Sequence, residues 1–141
     1  MNVLLHLLCF WLFIGPGDWI SDMKQAQVQA KQENKHILLN FSGSDWCAPC
    51  IQLKKEVFES NEFKQLADGK WVLVRADFPR LKKNQLPADQ QAKNNVLAER
   101  YNPLGKFPLT LLLDAEGKVI ATWEGFPSSK NKFLSELSRL P

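Results

Sequence analysis

The apolar positions change period several times along the chain, and each change predicts an element. Residues 18–35 (DWISDMKQAQVQAKQENK) place Trp19, Met23, Ala26 and Ala30 near one face of an amphipathic helix. HILLNF (36–41) is a short unbroken apolar run, the pattern of a strand buried on both faces. SGSD (42–45) is loop. From Cys47 the pattern turns helical again, with Ile51, Leu53, Val57 and Phe58 as apolar positions, and NEFKQLAD continues as a second helical piece ended by Gly69. WVLVRADF (71–78) predicts a second strand. PRLKKNQLP (79–87) is a polar loop bracketed by prolines, and ADQQAKNNVLAERY (88–101) is a helix. NPLGKFP (102–108), with two prolines and a glycine, is broken chain. LTLLLDAEGKVIATWEG (109–125) is a hairpin whose strands flank DAEG, where Gly117 suits a turn position with positive φ. SSKNKFLSELSRL (128–140) is a last amphipathic helix with Ser128 or Ser129 as its cap.

The order is helix, strand, helix, strand, helix, strand, strand, helix. Strands joined through helices pair in parallel with a right-handed crossover, and the closing hairpin adds antiparallel strands. The expected fold is α/β, a central mixed sheet of about four to five strands flanked by helices on both faces. At 141 residues the chain makes one domain of ordinary size. Its composition is 45% hydrophobic, enough for a real core, and the net charge of +3 is too mild to imply nucleic acid. The basic residues are scattered apart from RLKK (80–83), which reads first as a solvated face. A contact with a partner is the alternative for the loop that carries it. A monomer is expected.

The first residues follow another rule. MNVLLHLLCFWLFIGPG contains no Lys, Arg, Asp or Glu, and Val3 to Ile14 is an almost unbroken apolar run. That is the length of a signal-peptide core and short for a bilayer-spanning helix. Cleavage after Gly17 satisfies the small-x-small rule, so residues 1–17 are expected to be a signal peptide and 18–141 the exported domain, in the periplasm or secreted. An apolar N-terminal segment packed on the domain and an uncleaved membrane anchor are the alternatives, because the leader lacks a basic residue. Cys9, inside the apolar run, is expected to leave with the leader.

Removal of the leader keeps only Cys47 and Cys50, two residues apart in DWCAPC. A staple across two residues closes almost no loop, so a structural role gains little. A zinc site needs four ligands, and Cys47, Cys50 and His36 do not complete one. Haem attachment wants Cys-x-x-Cys-His, and position 51 is Ile. Redox cycling fits for a physical reason. Cys47 follows a strand and a short loop and opens a helix, where unpaired N–H groups and the macrodipole favour a thiolate. The thiolate is the attacking species in disulfide exchange. Cys50, one turn on, can close the ring, and Pro49 costs little at an early helical position. Trp46 can offer an apolar surface to a polypeptide substrate; plain packing is its alternative.

These residues resemble the thioredoxin fold. DWCAPC at a strand-to-helix junction is similar to the W-C-x-P-C site of thioredoxins and of exported thiol–disulfide proteins, and FPLTLLLDAEGKVI (107–120) resembles the second half of the pattern. FSGSDWCAPC followed by ADFP is similar to small secreted bacterial thioredoxin-like proteins, related in type to the C-terminal domain of the membrane thiol:disulfide interchange reductase. The resemblance spans about residues 35 to 140 and implies a cis peptide bond at Pro108, opposite the cysteines, with neighbouring backbone that binds the substrate chain. It implies Cys47 and Cys50 as the catalytic pair, and Trp46, Ala48, Pro49, Phe107 and Pro108 as the residues that meet the substrate, with no metal.

Three departures stand out. Thioredoxins usually place a buried Asp on the strand before the active site as proton acceptor; here the nearest polar residue is Asn40, whose amide cannot carry a proton. Asp45, in the loop, or a water is the substitute. Phe107 is bulkier than the usual residue before the cis-proline. The N-terminal helix and loop 79–87 are additions to a minimal thioredoxin. The expected activity is thiol–disulfide exchange with client proteins, as a reductase in preference to an oxidase, because Ala48–Pro49 keeps the proline of reducing types and lacks the His of strong oxidases. No nucleotide motif and no cofactor are expected, so a protein electron donor, which a membrane carrier could be, must supply electrons. A client-binding module of the same fold without turnover is the rival, and a peroxidase or glutathione-linked enzyme is a third reading.

Overall fold

The computed structural model describes residues 17–141; the expected leader, all but its last residue, and Cys9 lie outside the described residues. Five strands form one sheet: β1 (Trp19–Ile20), β2 (His36–Ser42), β3 (Trp71–Asp77), β4 (Leu109–Leu113) and β5 (Val119–Glu124). Their order is β1-β3-β2-β4-β5, with β1–β3 and β2–β3 parallel and β2–β4 and β4–β5 antiparallel. The helices are α1 (Met23–Glu33), α2 (Ala48–Leu53), α3 (Asn61–Ala67), α4 (Ala88–Tyr101) and α5 (Lys130–Ser138).

Alternation along the central strands divides the core into two layers. Ile37, Leu39 and Phe41 of β2, with Val72, Val74, Leu109 and Leu111, pack toward Ala26 and Ala30 of α1 and Leu97 of α4. Leu38, Leu73 and Leu112 face the other way, onto Leu53, Phe63, Phe133 and Leu137 of α2, α3 and α5. Helices therefore cover both faces, as the sequence predicts.

Two elements differ from expectation. Trp19 and Ile20 do not belong to the first helix. They pair with Leu73 and Val74 as an edge strand, and α1 starts only after Asp22, whose side chain accepts the Gln25 N–H at 3.0 Å. The Trp19 ring instead packs 4.9 Å from Phe58, with the Arg75 guanidinium 4.3 Å from its centroid. The helix after Cys47 is also not uniform. Lys54–Phe58 forms a π-helical turn closed by Glu59 N–H donating to Lys54 O at 2.9 Å. The five-residue step from Leu53 to Phe58 suits this wider turn, and both side chains are buried along with Val57, while Ile51 is 46% exposed and not a core position.

The remaining elements hold their expected places. The 109–125 hairpin turns at Asp114, whose carboxylate accepts the N–H groups of Glu116 and Lys118 at 3.0 and 2.8 Å. Gly117 adopts φ of +90°, and its carbonyl accepts the Tyr101 hydroxyl at 2.7 Å. Ser129 caps α5 through the Lys132 N–H. Among the described residues no helix is long and apolar enough to cross a membrane.

Candidate active site

The parallel strands β2 and β3 deliver the site at their C-terminal ends. β2 stops at Ser42, Gly43 to Trp46 turn the chain, and Cys47 stands as the N-cap of α2 with Pro49 in the first turn. Cys47 and Cys50 form a disulfide, with Cα atoms 5.2 Å apart. The Cys50 N–H points at Cys47 Sγ, 3.3 Å away. Both cysteines are nearly buried, at 4% and 3% exposure, and Ala48 and Pro49 between them are exposed. Burial does not distinguish the sulfurs, but position does: only Cys47 precedes the helix and receives a helix-start N–H.

Phe107–Pro108 is a cis peptide bond. Pro108 enters β4 next to the end of β2, since Leu109 pairs with Phe41. The Phe107 ring lies 5.4 Å from the Trp46 ring and 5.6 Å from Phe78. The cis-proline corner and the cysteine loop therefore meet through two aromatic rings. The corner is held by Asn102, whose buried amide brackets Lys106. Its Oδ1 accepts the Lys106 N–H and its Nδ2 donates to the Lys106 carbonyl, both at 2.8 Å.

Trp46 is fixed from four sides. Its Nε1–H donates to the Phe78 carbonyl at 2.8 Å, Phe107 meets it edge-on, and the Arg80 guanidinium sits 3.7 Å from its ring centroid. Gly43 is the fourth side, because a Cβ there would collide with the indole. Sequence reasoning missed Gly43, Phe78 and Arg80 as parts of this arrangement. Only the SGS tripeptide before the motif carries a local hint, since a glycine at a strand end marks close approach.

Asp45, the sequence's candidate proton acceptor, is engaged by loop 79–87. Its two carboxylate oxygens accept the N–H groups of Arg80 and Leu81, each at 2.9 Å, and the Asn84 amide at 3.1 Å. The Arg80 N–H above all, with the Asn84 amide and the Leu81 N–H, holds its carboxyl below the ordinary carboxylate range, against the opposing effect of desolvation. Asp77 is likewise engaged, accepting Ser44 N–H at 2.9 Å and Ser44 Oγ–H at 2.5 Å. Asn40 is 3% exposed and shares the face of Leu38, toward α2. Its Nδ2 donates to Thr110 Oγ1 at 3.1 Å and the Leu109 carbonyl at 3.4 Å. Among the described residues the buried polar side chains are Asn40, Ser42, Asn94, Asn102 and Thr110, with no carboxylate among them. His36 opens β2, at the strand end opposite the cysteines, and no group of three or more His, Cys, Asp or Glu among the described residues could hold a metal.

A sheet that presents a Cys-x-x-Cys pair at a helix start, with a cis-proline beside it, defines the class of thioredoxin-fold thiol–disulfide oxidoreductases. The family model described as a thioredoxin-like domain matches residues 23–140, and the chain belongs to that family. A curated relative, the disulfide bond reductase DsbH of Chlamydia pneumoniae, is 37% identical over 113 residues, 80% of this chain and 66% of its own length. A solved DsbH oxidoreductase superimposes with a TM-score of 0.77 at 35% identity, covering 88% of this chain and 85% of that one. The C-terminal domain of Neisseria meningitidis DsbD in its oxidised form, 20% identical, shares the fold with a TM-score of 0.55, covering 82% of this chain and 90% of that one.

Proposed function

We propose that the protein reduces disulfides in client proteins outside the cytoplasm and is itself re-reduced by a protein dithiol. The observation that carries the reading is the Cys50 N–H aimed at Cys47 Sγ at the start of α2, which favours a thiolate at Cys47 once the pair is reduced. Cys47 thiolate attacks one sulfur of a client disulfide. A Cys47–client S–S bond forms, the client S–S bond breaks, and the leaving thiolate takes a proton. Cys50 thiolate then attacks Cys47 Sγ, expels the second client thiol and closes the Cys47–Cys50 disulfide. Two electrons have passed to the client, and a donor dithiol must return two.

Trp46, Ala48 and Pro49, which adjoin the pair in the chain, and the Phe107–Pro108 corner, which meets the cysteine loop through Trp46, form the surface on which the client chain lies. The exposed Ala48–Pro49 edge leaves room for a polypeptide, and the bulk of Phe107 narrows the corner beside it. The proton leaving Cys50 goes to solvent, because Asn40 replaces a titratable acid and the Asp45 and Asp77 carboxylates already accept other hydrogen bonds. Action outside the cytoplasm is supported by the charge-free apolar run Val3–Ile14, read as the core of a leader spanning 1–17. Reduction as the direction is supported by the proline between the cysteines and by the 37% identical relative named a disulfide bond reductase.

Cys50→Ser tests the reading. The variant should accumulate mixed disulfides through Cys47 that a thiol reagent releases, whereas Cys47→Ser should trap nothing and lose at least about a thousandfold in exchange rate, as when a nucleophile is removed. The same partners bound by a protein lacking both cysteines would favour a binding module instead.

A further inference from the structure

We propose that loop 79–87 is an electrostatic docking element that selects clients whose disulfide is flanked by acidic residues. The inference rests on the reductase reading and names its substrate class. PRLKKNQLP carries Arg80, Lys82 and Lys83 and no acid. All three are exposed, and among the described residues none has a carboxylate in ion-pair contact, although Lys35, Lys54, Lys93, Lys106 and Lys130 each have one.

A basic loop is usually a solvated face, but this one is built onto the redox motif. Asp45, two residues before Cys47, accepts the N–H groups of Arg80 and Leu81 and the Asn84 amide. A short 3₁₀ turn at Lys82–Asn84 follows, and Arg80 stacks on Trp46, the residue next to Cys47. The loop backbone is thus anchored beside the redox motif, with the Arg80 guanidinium held on Trp46 and Lys82 and Lys83 carried on the anchored turn. Asp45 supplies one opposing charge at the base of the loop, so the element is net positive by two. Leu81, 48% exposed between the cations, adds an apolar contact for a peptide. Fixed charge beside a reactive centre raises the encounter rate with oppositely charged partners and suppresses like-charged ones. The position beside Cys47 favours a polypeptide disulfide over a membrane surface.

The test compares three disulfide-linked peptides of equal length, flanked by Asp/Glu, by Ser, or by Lys, reduced by the full-length protein at low and high salt. The acidic peptide should react roughly tenfold faster than the basic one at low ionic strength, and the ratio should fall toward one near 1 M salt. Lys82→Glu/Lys83→Glu should invert the ratio, a readout from which any common loss of rate divides out. Equal rates for acidic and basic peptides, or a preference unchanged by the charge reversal, overturns the inference while reduction of the Ser-flanked peptide leaves the reductase reading standing. Reduction of none of the three overturns both. Charge-dependent co-sedimentation with phosphatidylserine vesicles, combined with no peptide preference, would give the loop to a membrane surface and also overturn the inference.

Discussion

Trp46, next to Cys47, has two neighbouring sides: loop 79–87, held by a carboxylate and carrying three cations, and the Phe107–Pro108 corner, held by the buried Asn102 amide and carrying an aromatic ring. The one cation of the second side, Lys106, is paired with Glu124 at 2.6 Å, so that side presents shape without free charge. Trp46 touches both, through Arg80 and through Phe107. The difference teaches how one small site could divide its work under the proposed reading: the neutral corner would set how a client chain lies against the sulfurs, and the charged loop would set which chain arrives.

The largest effect should come from disturbing the residue the two sides share. Gly43→Ala drives a methyl into the Trp46 indole, which Phe78, Arg80 and Phe107 prevent from moving aside. A stability loss of about 1–3 kcal/mol in a denaturant titration is expected. Exchange should slow on acidic and basic peptides alike, with a shift in tryptophan emission. An unchanged emission spectrum and unchanged rates would show that Trp46 is not wedged.

Asn102→Ala should break the neutral side alone. Two hydrogen bonds to Lys106 vanish and the Lys106 backbone groups lose their partner, at about 1–2 kcal/mol. Exchange should weaken by a similar factor for both peptides, and a selective loss on the acidic one would contradict the division between the sides.

The smallest effect should come from acid. Asp45 has a folded-state pKa below its ordinary value of 3.8, so its contribution is present above that value and is lost as pH falls through the lower folded value. The protection factors of the Arg80 and Leu81 amides, taken against the intrinsic exchange rate at each pH, should stay high at neutral pH and fall only below about pH 4. Asp45→Ala should show the low protection factors at every pH. Early loss of protection, near neutrality, would mean that the carboxylate does not hold the loop.

What the sequence made legible follows from range. α4 occupies the predicted 88–101, and β2, β3 and the hairpin fall where apolar runs and turn residues place them, because period and turn chemistry are local. The cysteines and the cis bond at Pro108 are legible from a motif and its partner far along the chain, through the resemblance they carry. Trp19 and Ile20 were misread because two residues are too few to show a strand period, and only pairing with Leu73 and Val74 makes them one. The π-helical turn was invisible because apolar positions at 53, 57 and 58 also fit an ordinary helix. Asp45 reads from the sequence as a loop residue and a candidate proton acceptor near the cysteines. Its actual partners lie 35 to 39 residues away, in a loop whose composition suggests only a solvated surface.

The central claim is that Cys47 and Cys50 form a reducing pair. Its most direct test is the reduction potential of the protein, equilibrated in graded thiol–disulfide buffers and followed by tryptophan emission with thiol trapping as a check. A reducing pair should show a reversible two-electron transition near thioredoxin's value of about −270 mV. A transition near about −120 mV would make the protein an oxidant, and no reversible two-thiol transition would contradict the redox function altogether.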